Sequence, residues 1–271
     1  MYDELSYDAF HKNYRNIYHI ATHVNFGGQE YKVASSDAPL APAMANSIPG
    51  VERVTRLMES EKIVVKYGDN VFTESKVLIA DSNFFEFFSF KLREGNIRAA
   101  LKEPHSIVLT TATALKYFGD HPAIGKIISV GNEAFTVTGI TDIPPSNSHI
   151  QYDLLLSAAS EKIMSSNEWG NLEVFTYFLK NPATELSSIE SKLKDIVRKN
   201  IAPTIEKYVG ESFDAFEKKG GIYAFFSYPL SSSHLHHQEV LGTLTPSGDI
   251  KNVYIIGIVG MFILVIACIN L

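Results

Sequence analysis

The first sixty residues contain one strand–helix–strand pattern. Residues 6–16 have the spacing of a short amphipathic helix, and the apolar run over 17–25 predicts a strand. The stretch 39–48 is helix-like, with its prolines confined to the region of the first turn, where proline is tolerated. A Pro-Gly pair then stops the helix, and 51–58 (VERVTRLM) alternates as a strand does.

A second strand–helix–strand pattern occupies about 173–229. It opens with the strand-like run EVFTYFLK and closes with YAFFSYPL over 223–230. The run 184–201 carries apolar residues at helical spacing, namely Leu186, Ile189, Leu193, Ile196, Val197 and Ile201. A further helix over 204–218 follows, with Pro203 and Gly210 interrupting the pattern.

The middle of the chain, about 61–157, consists mostly of short strand-like runs separated by turn residues. The strand SIVLT over 106–110 leads into a predicted helix with one apolar side formed by Ala112, Leu115 and Phe118. A group of aromatic residues lies in and just after a short predicted helix over 82–89, namely Phe84, Phe85, Phe87, Phe88 and Phe90. Positions 84, 87 and 88 share one face of such a helix, so we expect a side that faces the core; a patch that binds a ligand or touches the membrane is the alternative. The whole pattern predicts an α+β fold of two subdomains, with the strand-rich middle inserted between the two units.

The last nineteen residues, 253–271, contain no charged side chain. A helix needs roughly 20 apolar residues to cross the hydrocarbon core of a bilayer. A buried core helix is the alternative, but such helices usually keep a polar stripe. We therefore predict a transmembrane helix, with Gly257 and Gly260 as positions where a neighbouring helix could approach closely.

Composition excludes several classes of protein. The chain has 271 residues, 24 Lys and Arg, 30 Asp and Glu, and a single Cys. Its aromatic content of 11% exceeds that of a disordered chain, and its acidic balance argues against a nucleic-acid partner. One Cys excludes an internal disulfide and any Cys-cluster zinc site. The first twenty residues have neither the basic nor the apolar region of a signal peptide.

The sequence offers few candidates for catalytic or metal chemistry. His234 and His236 would share one face of a strand and, with His237, are the best metal candidates, although exposed loop histidines are the more ordinary interpretation. The segment 119–126 resembles a phosphate loop, but its glycine spacing is one residue too long. The polar string from Asp142 to His149, with Pro144 and Asn147, is typical of a rigid, self-hydrogen-bonded turn. We therefore predict no catalytic, cofactor-binding or metal-binding residue.

Several strings, taken in order, resemble the extracytoplasmic domain of MacB/FtsX-type ABC transporter permeases. Each string is weak alone, but the ordered set spans nearly the whole chain. They are Glu4-Leu-Ser-Tyr-Asp-Ala-Phe-His11, Ile48-Pro-Gly-Val-Glu-Arg-Val-Thr-Arg56, Asn83-Phe-Phe-Glu-Phe-Phe-Ser-Phe90, Ser106-Ile-Val-Leu-Thr110 with Lys116-Tyr-Phe-Gly119 and Ile124-Gly-Lys126, Phe135-Thr-Val-Thr-Gly139, Asp142-Ile-Pro-Pro-Ser-Asn-Ser-His149 and Ile266-Ala-Cys-Ile-Asn-Leu271.

The resemblance implies a division of the chain. Residues 1–16 would form a helix leading out of a preceding transmembrane helix that the sequence does not contain. A porter-like subdomain would comprise 17–60 and 170–232, and a strand-rich lobe, 61–169, would be inserted into it. A connector over 233–252 would lead to the transmembrane helix at 253–271. Residues 1–251 would then lie outside the cytoplasm, attached to a bacterial inner membrane.

The resemblance also implies a function without catalysis in this chain. A separate ABC ATPase would hydrolyse ATP in the cytoplasm, and a dimer of permeases would carry the motion to the extracytoplasmic lobes. The cargo would be peptides, lipoproteins or small toxic compounds, and membrane lipid and a periplasmic or outer-membrane protein would be further partners. The alternative is an FtsX-like signalling module that binds and activates a cell-wall hydrolase. A membrane-tethered enzyme stays open as a third class.

Overall fold

The structure is a computed structural model that describes residues 2–269. Its strands are β1 (Ile17–Phe26), β2 (Gln29–Val33), β3 (Ser36–Asp37), β4 (Val51–Glu59), β5 (Ile63–Tyr67), β6 (Asn70–Glu74), β7 (Val77–Ala80), β8 (Leu92–Gly95), β9 (Ser106–Thr110), β10 (Ile127–Val130), β11 (Glu133–Thr141), β12 (Leu154–Ser157), β13 (Leu172–Lys180), β14 (Ile222–Pro229) and β15 (Val240–Leu241). Its α-helices are α1 (Tyr2–Leu5), α2 (Leu40–Ser47), α3 (Phe84–Phe87), α4 (Thr111–Phe118), α5 (Leu186–Ile196), α6 (Ala202–Val209), α7 (Phe213–Lys218), α8 (Leu230–His236) and α9 (Ile250–Ile269). A π-helical turn, Val197–Ile201, joins α5 to α6.

The two predicted strand–helix–strand units combine into one four-stranded sheet. Its order is β14-β1-β13-β4, and each neighbouring pair is antiparallel. Helix α2 joins β1 and β3 to β4, and α5, α6 and α7 lie between β13 and β14 in the chain. The apolar stripe of α5 packs on the sheet through Ile189 and Leu193, against Ile20 of β1 and Phe178 of β13. The helical spacing of apolar residues in the sequence thus identifies the side of α5 that packs in the core.

The middle strands continue this sheet. Residues Leu57–Glu59 of β4 pair with β7, and the order beyond is β7-β12-β9-β11-β10-β5-β6. The β7–β12 and β9–β11 pairs are parallel, so the whole is a mixed sheet with helices, an α+β fold as predicted. Because one sheet runs through both regions, the subdomain limits at 17–60, 61–169 and 170–232 stay predictions.

The aromatic group around α3 lies in the core. All five of its phenylalanines are buried, which confirms the predicted core-facing side: Phe84, Phe85, Phe87, Phe88 and Phe90. They pack in one cluster with Leu57 of β4 and Tyr177 of β13. The group therefore fills the space between the four-stranded sheet and the middle strands.

An ion pair ties the four-stranded sheet to the middle strands. Arg56 of β4 makes two side-chain hydrogen bonds to the carboxylate of Asp81, which follows β7, at 2.9 and 3.0 Å. Its remaining terminal nitrogen donates to the carbonyl oxygens of Ala38 and Met164, at 2.8 and 2.7 Å. Both charged side chains are mostly buried. A planar guanidinium is needed for this set of contacts, because an ammonium has no such fork of donors.

Two local predictions were wrong. Only Tyr2–Leu5 is helical at the start of the chain, and residues 6–16 form a series of turns in which Asp8 has a φ of 58°. That left-handed conformation cannot continue a right-handed helix. In α4 the buried side is formed by Thr113, Tyr117 and Phe118, while Leu115 is 59% exposed.

The predicted membrane helix is a continuous helix that begins at Ile250. It is long and apolar enough to cross a membrane, and none of its most apolar stretch is buried in the domain. Val253 is its one buried apolar side chain among those the structure describes. The alternative of a buried core helix is therefore wrong for this part of the chain. Asn270 and Leu271, like Met1, lie outside the described residues.

We expect Arg56→Lys to lower the free energy of unfolding by about 1–3 kcal/mol, because it removes charge-assisted hydrogen bonds to Asp81 in a mostly buried site. Urea unfolding of the purified chain in detergent, followed by circular dichroism, measures this change. The matched control is Arg98→Lys, whose side chain is 84% exposed in its pair with Glu86. Surface pairs contribute little, so we expect less than about 0.5 kcal/mol there. Equal losses in both variants would contradict the assigned role of Arg56.

We expect a chain ending at Asp249 to stay folded and soluble without detergent, because α9 adds almost nothing to the core. The intact chain should need detergent, since α9 exposes a row of apolar side chains. Circular dichroism and size-exclusion chromatography of both chains test this. An unfolded truncated chain would show that α9 is needed for the fold.

Candidate functional site

The histidines predicted on a strand lie on a helix instead. His234 and His236 belong to α8, two residues apart, so they point to different sides. His236 is exposed, whereas His234 is half-buried, and His237 follows the helix and stacks on Tyr228 at 4.3 Å between ring centroids. The prediction that His234 and His236 share a face was therefore wrong. Among residues 2–269, no group of three or more His, Cys, Asp or Glu could hold a metal ion.

The polar string from Asp142 to His149 forms a turn with a backbone hydrogen bond inside it and polar contacts to other parts of the chain. The Ser148 amide donates to the carbonyl oxygen of Pro145 at 3.1 Å, and Pro144 is buried. Asn147 donates through its side-chain amide to the carbonyl oxygen of Ser6 at 3.1 Å. Asp142 pairs with the guanidinium of Arg93. The turn therefore also binds the start of the chain, and we name residues 4–16 the N-terminal segment.

At the end of this turn, His149 meets a buried carboxylate. Its Nδ1 lies 2.9 Å from Oδ2 of Asp8, whose side chain is fully buried. The other carboxylate oxygen, Oδ1, accepts hydrogen bonds from the His149 amide and the Ser148 hydroxyl, each at 3.1 Å. His11 lies on the same side, with Nε2 4.0 Å from Asp8 Oδ1. A buried charge requires partners of this kind.

From His149 a chain of polar contacts crosses the four-stranded sheet. His149 Nε2 lies 2.9 Å from the Tyr177 hydroxyl on β13, and the Tyr177 ring stacks on His19 of β1 at 4.4 Å. The Tyr228 hydroxyl on β14 lies 2.7 Å from His19 Nδ1. We name this set the histidine junction: Asp8, His11, His19, His149, Tyr177 and Tyr228. It joins the N-terminal segment, the turn and three adjacent strands.

Burial sets the protonation of the junction. It lowers the pKa of His11 to about 3 and holds the pKa of His19 well below its usual value, so both imidazoles are neutral near pH 7. Burial also raises the pKa of the Tyr177 and Tyr228 hydroxyls, which stay protonated. For Asp8, burial acts to raise the pKa, but the nearby His149 and its hydrogen bonds outweigh this and lower it.

The other segment at this site lies between β14 and α9. We name residues 230–249 the linking segment; it includes α8 and β15 and overlaps the predicted connector at 233–252. His234 Nε2 lies 2.9 Å from Oε2 of Glu4, and the Tyr7 ring stacks on His234 at 3.6 Å, only 3° from parallel. The N-terminal segment and the linking segment therefore contact each other directly beside the histidine junction.

A separate open cleft of about 650 Å³ lies at the other end of β1. Phe26, Trp169 and Tyr208 line it, and Tyr208 is 76% exposed. Below it, buried Asp37 accepts a hydrogen bond from the Tyr223 hydroxyl at 2.7 Å. Four aromatic residues could not be assigned to core or surface from the sequence: Tyr18, Phe26, Phe175 and Tyr228. Phe175 and Tyr228 are buried, Tyr18 is half-buried, and Phe26 is exposed at the cleft.

Comparison with known proteins gives a family. The profile of the MacB-like periplasmic core domain matches residues 1–196. The chain belongs to this family. It is an extracytoplasmic domain of a MacB-like ABC transporter permease, followed by a candidate transmembrane helix. The protein is located at the inner membrane, and this domain lies in the periplasm. The sequence matches no curated protein.

Solved structures show the same fold in other bacteria. A domain of a protein described as a permease, from Porphyromonas gingivalis, is 24% identical with a TM-score of 0.68; the match covers 81% of this chain and 91% of that one. The periplasmic region of MacB from Actinobacillus actinomycetemcomitans is 13% identical with a TM-score of 0.50, covering 80% and 90%. The MacB-like fold is thus shared at low identity.

The sequence analysis did not predict most residues of the histidine junction as site residues. Of the six, it named only His149 as a candidate, as part of the predicted turn. The available signal was a polar residue at an inward-facing strand position: His19 and Tyr177 both occupy such positions in apolar strands. A sequence pattern alone does not say which buried polar residues meet.

We expect the stability of this MacB-like domain to fall as the pH drops from about 7 to about 4. The unfolded chain binds a proton at each histidine near pH 6.5, whereas the pKa of His11 is about 3 in the folded protein. Between these values the unfolded state holds more protons, so acid favours unfolding, and the full contribution of His11 is present above pH 6.5. Urea unfolding from pH 4.5 to 7.5 measures the slope.

His11→Asn keeps an acceptor for the Ser89 amide, which donates to His11 Nδ1 at 3.0 Å, but cannot titrate. We expect its slope to be smaller by up to about 1.4 kcal/mol per pH unit. Asp8 and His149 are the titratable groups facing His11, and both are unchanged in the variant. His121→Asn, at an exposed position, serves as control. Identical slopes in all three proteins would refute the assignment to His11.

Proposed function

We propose that this chain is a non-catalytic coupling domain. A separate ABC ATPase would hydrolyse ATP, a second permease copy would complete the dimer, and this domain would convert the motion of α9 into movement of its lobes. The exported cargo would be peptides, lipoproteins or small toxic compounds. The observation that carries the proposal is the direct contact between the linking segment and the N-terminal segment at the histidine junction.

The first step of the proposed path runs from α9 into α8. The amide of Lys251 donates to the side chain of Asp249 at 2.8 Å, which fixes the start of α9. The amide of Gly248 donates to the carbonyl oxygen of His234 at 2.9 Å, and the Gln238 side chain donates to the carbonyl of Gly248 at 3.0 Å. A tilt of α9 would therefore also displace α8, because these hydrogen bonds limit the movement of the residues between the two helices.

The second step runs from α8 into the sheet. His234 pairs with Glu4, and Asp8 in the same N-terminal segment is held by His149. His149 in turn contacts Tyr177 on a central strand. Buried polar contacts have defined geometry, so they transmit displacement between rigid elements. The Arg56–Asp81 pair would then transmit the displacement from the four-stranded sheet to the middle strands.

Pulsed electron–electron distance measurements on the full-length protein with its ATPase, in nanodiscs, test this coupling. Spin labels at Asp69→Cys and Ser191→Cys, both exposed, report on the middle strands and on α5; Cys268→Ser removes the native thiol. We expect ATP to change the distance in the otherwise unmodified protein. In His234→Ala the change should be reduced by at least half, because the contact with Glu4 is lost.

The matched control is His236→Ala on the same helix, where the side chain is exposed. We expect it to respond to ATP like the unmodified protein. A distance that does not change during ATP hydrolysis in the unmodified protein would overturn the proposed coupling. Equal distance changes in His234→Ala and His236→Ala would contradict the proposal that the His234–Glu4 contact transmits the movement of α9.

Crosslinking in native cells followed by mass spectrometry separates export from the FtsX-like alternative. Capture of an ABC ATPase with an outer-envelope channel or lipoprotein would support export. Capture of the ATPase with a murein hydrolase would favour a signalling module that activates that hydrolase. Capture without any ATPase would contradict the permease mechanism in both forms.

A further inference from the structure

Five of the nine histidines of the chain gather where the linking segment meets the four-stranded sheet. They are His11, His19, His149, His234 and His237. Histidine is the side chain whose ordinary pKa lies closest to neutral pH. A cluster of this kind, at the contact that the proposed function uses, can make that contact depend on pH.

His19 occupies the decisive position. It is 3% exposed, its Nδ1 lies 2.7 Å from the Tyr228 hydroxyl, and the Tyr177 ring covers one face. Phe175, also on β13, lies 6.1 Å away between ring centroids. Its surroundings are therefore aromatic rings, a hydroxyl and the backbone of Ala34, whose hydrogen bond favours a proton on the ring but is outweighed by burial. None of these groups carries a charge that would neutralise an imidazolium.

The charged groups around His19 do not compensate a proton on it. The described titratable groups that act on its charge are His149 and His237, and both lower the pKa of His19. The carboxylate nearest His149 is Asp8, which is already held by that histidine. His237 faces Glu239, with Nδ1 3.5 Å from Oε1, and is also affected by Lys32 on β2. The two carboxylates, Asp8 and Glu239, therefore lie against His149 and His237 and not against His19.

The linking segment covers His19. A cavity of only about 10 Å³ separates His19, His149 and Tyr177 from Ser233 and Thr245 of the linking segment. A cavity of this size holds one water at most. An imidazolium at position 19 could be hydrated only if the linking segment moved away.

We propose that the contact between the linking segment and the sheet is acid-sensitive, with protonation of His19 releasing residues 230–249. The direction follows from linkage. In the closed form the pKa of His19 is held well below its usual value by burial, and in the open form it returns to about 6.5. The closed form is therefore fully favoured above about pH 6.5, and below that pH the open form gains population about tenfold per pH unit.

Hydrogen exchange of the intact chain in nanodiscs, between pH 7.5 and 5.0, tests this inference. After correction for the intrinsic pH dependence of exchange, we expect the protection of residues 230–249 to fall about tenfold per pH unit below about 6.5. His19→Asn keeps an acceptor near the Tyr228 hydroxyl but cannot take up the proton, so the fall of its protection with pH should be smaller than in the unmodified chain, by up to about tenfold per pH unit. His121→Asn, at an exposed position in the middle of the chain, should behave like the unmodified chain.

Flat protection in the unmodified chain, or equal slopes in the unmodified chain and His19→Asn, would overturn the inference. If His19→Asn does not fold, ring nitrogen NMR of histidine-labelled unmodified chain gives the answer. A protonated His19 ring in a chain whose linking segment stays fully protected would also overturn it.

The inference rests on the proposed function only for its consequence, namely that motion of α9 would no longer reach the sheet through the linking segment. The hydrogen-exchange experiment contains no ATPase. A negative result there is therefore distinct from a negative result in the distance measurements that test the coupling.

Discussion

The buried carboxylate of Asp8 is the constraint on which the arrangement of the polar centre depends. A charge removed from water must be surrounded by donors, and breaking such a buried pair typically costs about 3–5 kcal/mol. Here the donors come from the turn that ends at His149, whereas Asp8 belongs to the N-terminal segment. Satisfying one carboxylate therefore fixes the turn, the N-terminal segment and the orientation of the His149 ring together. The contacts to Tyr177, and through its ring to His19, follow from that orientation.

Apolar packing and polar contacts have different roles in this domain. The phenylalanines around α3 and the stripe of α5 supply buried area, which favours compactness but tolerates small displacements. Arg56 with Asp81, and Asp8 with His149, specify which segment lies where, because their hydrogen bonds are directional. Both pairs join parts of the chain that are distant in sequence. These specified contacts therefore fix the relative positions of the segments that they join.

Periodicity predicted most of the strands and helices because those elements are local. The helix at Leu186–Ile196 and the strands on either side of Gly131 are examples in which spacing and a turn residue suffice. The errors arose where a tertiary contact overrides the local pattern. The Thr110 side chain caps α4 and sets its start, and the buried side then carries Tyr117, whose hydroxyl bonds to Glu74. The histidine junction could not be predicted, since His19 and Tyr228 are 209 positions apart.

The position of β1 has a consequence for how the chain folds. It is an inner strand of the four-stranded sheet, yet Ile17 pairs with Leu179 and Tyr18 with Pro229. During synthesis the second half of β1 can pair at once with β2, but its first half and its other edge stay unpaired until β13 and β14 have been made. Loop closure over such separations slows folding, and an unpaired apolar strand edge can pair with wrong partners in the meantime. The domain therefore has a high contact order at its centre, and its slowest folding step is expected to be the closure of β13 and β14 around β1.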